Sequence, residues 1–487
     1  MRPVDRLSDY DAAFLYGETA TAPLHSVNIA VIEGKLSMAE VHQLVTERIH
    51  KLPRLRQKLA FVPFQLAHPE WVDAEDFDLV QHISYEKLKG AKIKQAIHHG
   101  LVLAQPLLNR TRPLWRLHII AAKGKTLLVS VVHNALIGTN TSLDFLNNLF
   151  DLNPQPKSPV SAPVWAPAPH PNTMDLTGAA VRDNTRKLAA QGGKLRTIRA
   201  QTQLLQQAAE FMTRFATEPA MRAQWNRGVV GRERIFHSVT FASAELRKVK
   251  HRCGGSLNDL AASLAVEAAA RYLAARNEAT VDRRLRVMQP VLVRREDSDG
   301  VRDNRMSAVF PAYAAEPTSM MERLKEVRWE QESIKHNREA QALQLIMELA
   351  PSLPPLPTFD NRSDVFGPAE FDYMNLNPTS WMQCFSPIYA NRLPSSLAPI
   401  MTGFNFTMST TRGAQTDQYC AGRPVKQIHC VPTLMANLGV GVNIIDYNKS
   451  ICFNLSADPA RMADLPAMGE LIQSCFAELQ SSVMNAA

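Results

Sequence analysis

Residues 126–139 read Thr126-Leu-Leu-Val-Ser-Val-Val-His133-Asn134-Ala-Leu-Ile-Gly138-Thr139, an apolar run that carries polar residues at its end. The run is rich in β-branched residues, which is typical of a buried strand. The apolar segment Leu117–Ala122 precedes it, and Lys123-Gly124-Lys125 between the two predicts a hairpin turn. The second strand therefore delivers His133 to a point where the chain turns, and such points often carry functional side chains.

Strands and helices are predicted on both sides of this hairpin. In the first half, the patterns predict a strand at Ser26–Glu33 and helices at Ser37–His50 and Ser142–Leu149. In the second half, they predict helices at Ser256–Ala275, Thr318–Leu349 and Pro459–Val483, and strands at Arg286–Val293, Met306–Ala314, Phe404–Thr410, Gly439–Asp446 and Ile451–Ser456. The sequence therefore predicts an α/β protein with two halves, each built around a mixed β-sheet.

The length of 487 residues also favours two domains over one. Residues 152–172 contain seven prolines, which predicts an extended connector. A helix-rich segment, Met174–Trp225, follows the connector, and Gly192-Gly193 predicts an interruption in it. A second proline cluster at 351–357 opens a region without clear periodicity that runs to about Ile400.

The positive charge of the chain is concentrated in one segment. The net charge is +8, and residues 182–234 alone contain eleven Lys and Arg against four Asp and Glu. Such a segment can attract nucleic acid, an anionic lipid surface or a polyphosphate ligand, and it can equally be a solvated helix face. Because no aromatic residues are interleaved with Lys and Arg on strands and no Cys/His finger is present, nucleic-acid binding is not expected.

Composition narrows the class further. Hydrophobic residues make up 45% of the chain and charged residues 21%, as in ordinary globular proteins. The sequence contains no run of 18 apolar residues, so no transmembrane helix is predicted. Asp5, Asp9 and Asp11 interrupt the apolar run that a signal peptide would need. The six cysteines lack C-x-x-C spacing, so we expect free buried thiols, no metal centre and a cytoplasmic protein.

Several candidate residues have a purely structural interpretation. Ser256 and Asp259 have the spacing of a helix capping box, which favours an N-cap role over catalysis. Trp115 is most simply a core anchor. His25, His118 and His251 are isolated in sequence, and none has a partner at metal-ligand spacing. A lone histidine after an apolar strand, such as His133, is itself more often structural than catalytic.

A series of short motifs nevertheless resembles the bacterial wax ester synthase/diacylglycerol acyltransferase family. In family order they are Leu7-Ser8, Asp11, Phe14-Leu15, Glu18, Pro23 and His25; Pro53-Arg54-Leu55-Arg56-Gln57; Trp71-Val72-Asp73; Phe77-Asp78; Arg112-Pro113-Leu114-Trp115; Ser256-Leu257-Asn258-Asp259; Pro290-Val291-Leu292-Val293-Arg294; and Asn304-Arg305. The resemblance covers almost the whole chain. It makes Pro113, Leu114, Trp115, Asn258 and Asp259 candidates for lining a substrate channel.

The active-site motif of that family is altered in this chain. The family has two histidines, three variable residues, then aspartate and glycine, and the aligned residues here are His133, Asn134, Gly138 and Thr139. In the family, the second histidine is the general base that takes the proton from the alcohol as it attacks the acyl-CoA thioester. The aspartate holds the loop. The late Asn-Val-x-Gly-Pro block of the family is also changed, to Thr410-Thr411-Arg412-Gly413-Ala414.

An amide cannot accept a proton near neutral pH, so Asn134 does not replace the imidazole of a general base. Side chains alternate along a strand, and His133 and Asn134 are therefore expected on opposite faces. If position 134 faces the substrate channel, His133 faces the packed interior. A one-residue shift in register would let His133 take over as the base, but it would turn every neighbouring side chain to the other face.

The resemblance implies two chloramphenicol-acetyltransferase-like domains, at about 1–155 and 236–487, joined by a Pro-rich and then basic helical linker at 156–235. It implies an acyl-CoA-dependent O-acyltransferase that makes wax esters or triacylglycerol, with long-chain acyl-CoA as a substrate and no cofactor, and with an alcohol or diacylglycerol as acceptor. The altered motif makes weak activity the expectation. A non-catalytic relative that binds acyl-CoA, lipid or a partner acyltransferase is the alternative, and peripheral attachment to the inner membrane or a lipid droplet through 182–234 is compatible with both.

Overall fold

The computed structural model describes residues 4–63, 66–137, 143–155, 164–199, 202–218, 220–227, 231–296, 302–349, 403–434 and 438–485. The helices of these residues are α1 (Asp9–Gly17), α2 (Met38–Arg48), α3 (Ile93–Ala104), α4 (Asn134–Ile137), α5 (Asp144–Asn148), α6 (Thr173–Arg199), α7 (Thr202–Thr217), α8 (Ser243–Cys253), α9 (Leu257–Ala274), α10 (Met320–His336), α11 (Glu339–Leu349) and α12 (Leu465–Asn485). The strands are β1 (His25–Glu33), β2 (Gln57–Ala60), β3 (Glu70–Asp73), β4 (Ile83–Leu88), β5 (Trp115–Ala122), β6 (Lys125–His133), β7 (Ile235–Ala242), β8 (Arg284–Glu296), β9 (Arg302–Val309), β10 (Ala312–Ala314), β11 (Phe406–Arg412), β12 (Tyr419–Cys420), β13 (Arg423–Val431), β14 (Val440–Tyr447) and β15 (Ser450–Ala457).

A first compact unit contains the described residues of 1–191 and 414–433. Its sheet has the order β12-β13-β1-β6-β5-β4, in which β4 and β5 are parallel and the other neighbours are antiparallel. The β5–β6 hairpin predicted from the sequence is confirmed. Helix α3 packs closely against this hairpin. A Cβ atom on Gly100 of α3 would be only 2.8 Å from the Val129 side chain of β6. Glycine therefore permits the close approach of helix to strand.

Strands β12 and β13 join this sheet from far along the chain. Strand β13 runs antiparallel to β1, with Val27 opposite Val431 and Ile29 opposite His429. From the sequence these residues are expected inside a second domain at 236–487, whereas in the structure 414–433 belong to the first unit. A pairing across roughly 400 residues leaves no local periodicity, and this is why it was not predicted.

The second unit contains the described residues of 192–359, 378–413 and 434–487. Its sheet has the order β10-β8-β11-β14-β15-β7, with β9 paired to β8, and β11 is parallel to both β8 and β14. Helix α9 lies in the core of this unit, and most of its residues, including Leu260, Ala265 and Leu273, are buried. Both sheets combine parallel and antiparallel pairs, so the predicted α/β class with mixed sheets is confirmed.

Two predictions about helices were wrong. Helix α6 continues through Gly192-Gly193 to Arg199 without the predicted interruption. Glycine costs about 1 kcal/mol in a helix interior, and the helical residues on either side propagate across it. The single helix predicted at Thr318–Leu349 is two helices, α10 and α11, because Arg338 between them has a left-handed backbone with φ of 51°.

Other predictions about local structure are confirmed. Ser256 is the N-cap of α9, and its side chain and that of Asp259 form the predicted capping box. Cys420, Cys430, Cys452 and Cys475 are buried free thiols as expected, whereas Cys253 is a half-buried free thiol and Cys384 lies outside the described residues. No helix within the described residues is both long and apolar enough to cross a membrane.

Candidate active site

His133 is the last residue of β6, and its side chain is buried, with 1% of its surface exposed. The backbone N–H of Ala135 donates to its Nδ1 at 3.1 Å. That bond requires a lone pair on Nδ1, so in the neutral ring the proton is on Nε2. Nε2 lies 3.5 Å from Oε1 of Glu18, at the outer limit for a hydrogen bond. Both ring nitrogens are therefore directed at groups of the protein itself.

Glu18 is the buried carboxylate that faces His133, and it lies in the irregular segment between α1 and β1. Its Oε1 accepts the backbone N–H of Leu24 at 3.0 Å, and its Oε2 lies 3.5 Å from the guanidinium of Arg110. Burial raises the pKa of this carboxyl, but the contacts with His133, Arg110 and Leu24 outweigh it and hold the pKa below its ordinary value. Glu18 is therefore ionised at neutral pH.

Asn134 follows His133 and begins α4, and its side chain is half-buried. Ser26 Oγ donates to Asn134 Oδ1 at 2.6 Å, while the backbone N–H of Asn134 donates to Leu24 O at 3.0 Å. His133 is opposite His25 in the register of β1 and β6, whereas Ser26 is opposite Val132. The contact with Ser26 therefore places Asn134 on the opposite face from His133, as the strand alternation predicts.

His25 and Asp11 complete the group of titratable residues near His133. Burial lowers the pKa of His25 to about 4, although the charge of Glu18 partly opposes this, so its imidazole is neutral and a weak base. Burial raises the pKa of Asp11 to about 6, against the opposing effects of Ser8, Arg54 and His133. His25 is isolated in the sequence, but the pairing of β1 with β6 brings it beside His133.

The Pro-Leu-Trp candidates lie in the packed interior of the first unit. Pro113, Leu114 and Trp115 are all buried. Trp115 Nε1 donates to Leu55 O at 2.8 Å, and its ring stacks on His82 at 4.5 Å between centroids. These contacts are those of a core anchor.

The second pair of channel candidates belongs to the second unit. Asn258 is exposed at the start of α9, and Asp259 is buried. Asp259 Oδ2 accepts the backbone N–H of Ser256 at 2.7 Å, and its own N–H donates to Ser256 Oγ at 3.1 Å. Asp259 therefore takes part in the capping box through both its side-chain carboxylate and its backbone N–H. Gly138 and Thr139, the remaining positions of the motif, lie outside the described residues.

Sequence reasoning missed the roles of Glu18, Ser26 and Arg110. Glu18 is separated from His133 by more than a hundred residues, and an irregular segment places it, so no periodic pattern predicts the contact. The available signal was the co-occurrence of Asp11, Glu18 and His25 in one short motif. Within the described ranges, no group of three or more His, Cys, Asp or Glu side chains has the arrangement of a metal site.

Part of the basic linker is neutralised by the fold. The guanidinium of Arg214 pairs with Glu339, and that of Arg227 lies 2.5 Å from Glu278. Burial lowers the pKa of Arg234 to about 10, with Asp458 opposing the shift. The predicted positive segment at 182–234 therefore presents fewer uncompensated charges than its sequence suggests.

Two family models match this chain. Residues 7–261 match the model of the wax ester synthase/diacylglycerol acyltransferase catalytic domain, and residues 303–480 match the C-terminal domain of the same family. A protein of Mycobacterium tuberculosis that carries the name diacylglycerol O-acyltransferase is 29% identical to this chain over 281 residues. The aligned region covers 55% of this chain and 59% of the relative. A similarly named protein of Mycobacterium bovis is 24% identical in an alignment of 509 positions, gaps included, that covers 98% of this chain and 96% of the relative.

Solved structures show the same fold. The wax ester synthase/diacylglycerol acyltransferase from Marinobacter aquaeolei VT8 superposes with a TM-score of 0.63 at 18% identity, covering 98% of this chain and 99% of that one. The starter condensation domain of rhizomide synthetase, solved with C8-CoA and Leu-SNAC, gives a TM-score of 0.58 at 13% identity and covers 99% of this chain and 94% of its own. These likenesses confirm the predicted chloramphenicol-acetyltransferase-like fold.

Proposed function

Because this chain belongs to the wax ester synthase/diacylglycerol acyltransferase family, we propose that it binds a long-chain acyl-CoA together with an alcohol or diacylglycerol and transfers the acyl group only at a residual rate. The substrates are those that the family resemblance implies. The low rate is expected because Asn134 stands at the position where the family has its general-base histidine.

One observation supports this proposal: of the two motif residues in the described part of the chain, His133 is buried against Glu18 and the Ala135 N–H, and Asn134 is an amide. The amide of Asn134 cannot take a proton near neutral pH. His133 is buried, its Nδ1 accepts the Ala135 N–H, and its Nε2 faces Glu18. His25 is neutral and buried, with a pKa of about 4. A shift of the role to His133 is therefore not supported.

The consequence for the reaction is specific. The alcohol oxygen forms a bond to the thioester carbon, and the carbon–sulfur bond breaks. In the family, the general base takes the hydroxyl proton, which then neutralises the departing thiolate. Without a positioned base, the proton moves to water or directly to sulfur. Loss of general-base catalysis typically lowers the rate by about 10²–10⁴. Binding and orientation of the two substrates still contribute to the rate that remains.

Asn134 has a binding role in this proposal. Ser26 Oγ donates a hydrogen bond to Asn134 Oδ1, so the carbonyl oxygen of the amide is already engaged. The NH₂ group of the amide is then the part that can contact a substrate. An NH₂ group donates hydrogen bonds, and the thioester carbonyl oxygen is a suitable acceptor. Asn134 then orients or retains an acyl group in the site.

The second candidate function is a non-catalytic protein that binds acyl-CoA, lipid or a partner acyltransferase. The same amide favours it, because a donor at this position retains a ligand without activating a nucleophile. A division into domains at 1–155 and 236–487 with a linker at 156–235, except that 414–433 belong with the first unit, is part of this proposal. Attachment of the linker to an anionic membrane or lipid-droplet surface is part of it as well. Arg214 pairs with Glu339 and Arg227 with Glu278, so the exposed Arg182, Arg186 and Arg222 are the cations that we expect to meet such a surface.

The decisive experiment measures acyl transfer from palmitoyl-CoA to hexadecanol or diacylglycerol. We expect wild-type protein to transfer at a rate about 10² or more below that of a relative with an intact motif. The Asn134→His variant should recover part of this rate, and the Asn134→His/Gly138→Asp double variant should recover more than the sum of the two single changes. At saturating palmitoyl-CoA, Asn134→Ala should leave the residual rate almost unchanged, and the lost hydrogen bond should appear as weaker acyl-CoA binding.

Matched measurements separate the two candidate functions. Palmitoyl-CoA should raise the melting temperature of the wild type, since a ligand that binds only the native state stabilises it. Binding without transfer, both before and after the double substitution, supports the non-catalytic candidate. Rapid wild-type turnover that His133→Ala abolishes and Asn134→Ala leaves intact would overturn the proposal, because His133 would then be the base.

A further inference from the structure

Three of the sequence motifs have no part in the proposed acyl transfer, and they meet at one site of the first unit. Arg56 belongs to the motif at 53–57, Asp73 to the motif at 71–73, and Phe77 to the motif at 77–78. The antiparallel pair of β2 and β3 brings the first two motifs together, with Gln57 opposite Asp73. Residues 164–172, the end of the proline-rich connector, lie against this motif site, and we call them the strap.

Trp165 is the side chain that anchors the strap. The guanidinium carbon of Arg56 lies 4.5 Å from the centre of its ring, and the Phe77 ring meets it edge-on at 6.3 Å between centroids. A guanidinium over an indole is an attractive cation–π contact. Trp165 is half-buried, whereas its neighbours Val164 and Ala166 are exposed. The motif residues therefore select the indole from a segment that is otherwise mostly in contact with solvent.

Two backbone hydrogen bonds continue the contact in register. Ala168 N–H donates to Asp73 Oδ2 at 2.9 Å, and His170 N–H donates to Glu75 Oε1 at 2.7 Å. The two donors are two residues apart in the chain, and so are the two acceptors. Residues 167, 169 and 171 are prolines, which have no N–H, so Ala168 and His170 carry the only backbone donors of 167–171. The spacing of the prolines therefore matches the spacing of the carboxylates.

The strap ends at the N-terminal cap of α6. Asn172 Oδ1 accepts the backbone N–H of Asp175 at 2.9 Å, and Asp175 Oδ2 accepts the backbone N–H of Asn172 at 3.1 Å. One residue further along, Leu176 packs in a small core cluster with Ala60 of β2 and Val72 of β3. Docking of the strap therefore brings the start of α6 onto the same two strands that carry the motif site.

The next turns of α6 contact the first unit along one side only. Asp183 Oδ2 accepts a hydrogen bond from Arg6 at 2.7 Å, and Asn184 Nδ2 donates to Leu66 O at 2.8 Å. Val181, on the same turns, is exposed. The boundary between the two compact units falls within α6, after residue 191. The strap is therefore the segment that leads the chain into the helix at which the grouping changes.

We propose that residues 164–172 form a detachable strap, and that its docking on Arg56, Asp73 and Phe77 holds the start of α6 against the first unit. The strap pairs with no strand among the described residues, so it can leave without breaking a sheet. A segment with alternate prolines stays extended when it is free, and it can dock again with little loss of conformational entropy. The proposal does not depend on whether the chain catalyses acyl transfer.

Hydrogen–deuterium exchange of the full-length protein, followed by mass spectrometry, tests the strap. Ala168→Pro removes the backbone donor to Asp73 while an extended backbone is retained. We expect the amides of 176–184 to exchange about tenfold faster in this variant and in Trp165→Ala, because the start of α6 opens more often. The melting temperature should stay near that of the wild type, because the opening is local.

Ala166→Pro is the matched control for Ala168→Pro. Ala166 is also an exposed alanine followed by a proline, and its N–H has no hydrogen-bond partner among the described residues. Exchange of 176–184 in this variant should stay within about twofold of the wild type. In the wild type, urea below the unfolding transition should change this exchange much less than that of the β6 amides, as for a local opening.

Each outcome decides the proposal. Faster exchange at 176–184 in Ala168→Pro and Trp165→Ala, with the control unchanged, supports it. Faster exchange confined to 164–172 overturns it, because the contacts of Leu176, Asp183 and Asn184 would then hold α6 by themselves. Unchanged exchange in both variants overturns it as well. An equal rise in the β6 amides would show that the segment is part of the cooperative core and cannot detach, which also contradicts the proposal.

Discussion

Trp115 offers a direct test of whether the Pro-Leu-Trp segment serves the core or the substrate channel. Its indole N–H donates to Leu55 O at 2.8 Å, and its ring stacks on His82 and meets Phe145 edge-on at 5.0 Å. Trp115→Phe would leave the buried carbonyl of Leu55 without this donor, a loss of about 1–3 kcal/mol. The smaller ring adds a cavity term of about 1 kcal/mol. We expect the free energy of unfolding to fall by about 2–4 kcal/mol.

Urea denaturation followed by fluorescence or circular dichroism measures this loss. Trp165→Phe is the matched control, because Trp165 is half-buried in the irregular connector, and we expect it to lose less than about 1 kcal/mol. Palmitoyl-CoA affinity per folded molecule should be the same for Trp115→Phe as for the wild type. Unchanged stability combined with a clear loss of acyl-CoA affinity would refute the reasoning and place Trp115 in the channel.

Three further predictions concern charge. Glu18→Gln keeps the shape of the side chain but removes the anion facing His133, and the melting curve should show a loss of about 3 kcal/mol; an unchanged curve would mean that the contact is weak. His25 has its pKa lowered to about 4 in the folded state from about 6.5 in the unfolded chain, so its contribution to stability is present above pH 6.5 and is lost as the pH falls toward 4. Wild-type stability should therefore drop by about 2 kcal/mol more between pH 7 and pH 5 than that of His25→Phe, in urea unfolding at both pH values. Binding to anionic vesicles should fall with added salt and with Arg196→Glu/Arg199→Glu, whereas equal binding to neutral and anionic vesicles at low salt would contradict a role for the linker.

Short-range features of the fold could be predicted from the sequence. The hairpin follows from two β-branched runs around Lys123-Gly124-Lys125, and the start of α9 follows from the spacing of Ser256 and Asp259. In each case the residues that decide the structure are neighbours in the chain. The break between α10 and α11 was missed because Arg338 adopts a left-handed backbone conformation with φ of 51°. Glycine or asparagine usually occupies that conformation at a helix end, and neither residue stands at this position.

The chemistry of the candidate site was predicted only in part. The placement of His133 and Asn134 on opposite faces follows from the two-residue period of a strand, and the structure agrees. The hydrogen bond to His133 Nδ1 and the position of Nε2 3.5 Å from Glu18 could not be predicted, because they depend on the backbone turn at Ala135 and on a residue far away in the sequence.

The position of β13 beside β1 bears on how the chain folds as it leaves the ribosome. Strand β1 and the hairpin emerge first, but the edge of β1 stays unpaired until residues 423–431 have been synthesised. At about 5–20 residues per second, that interval is about 15–60 s. An uncovered apolar edge strand invites pairing with other chains throughout this time. Expression of residues 1–235 alone would make the exposure permanent, so a fragment that contains the whole altered motif is expected to aggregate, whereas the full-length chain closes its own edge.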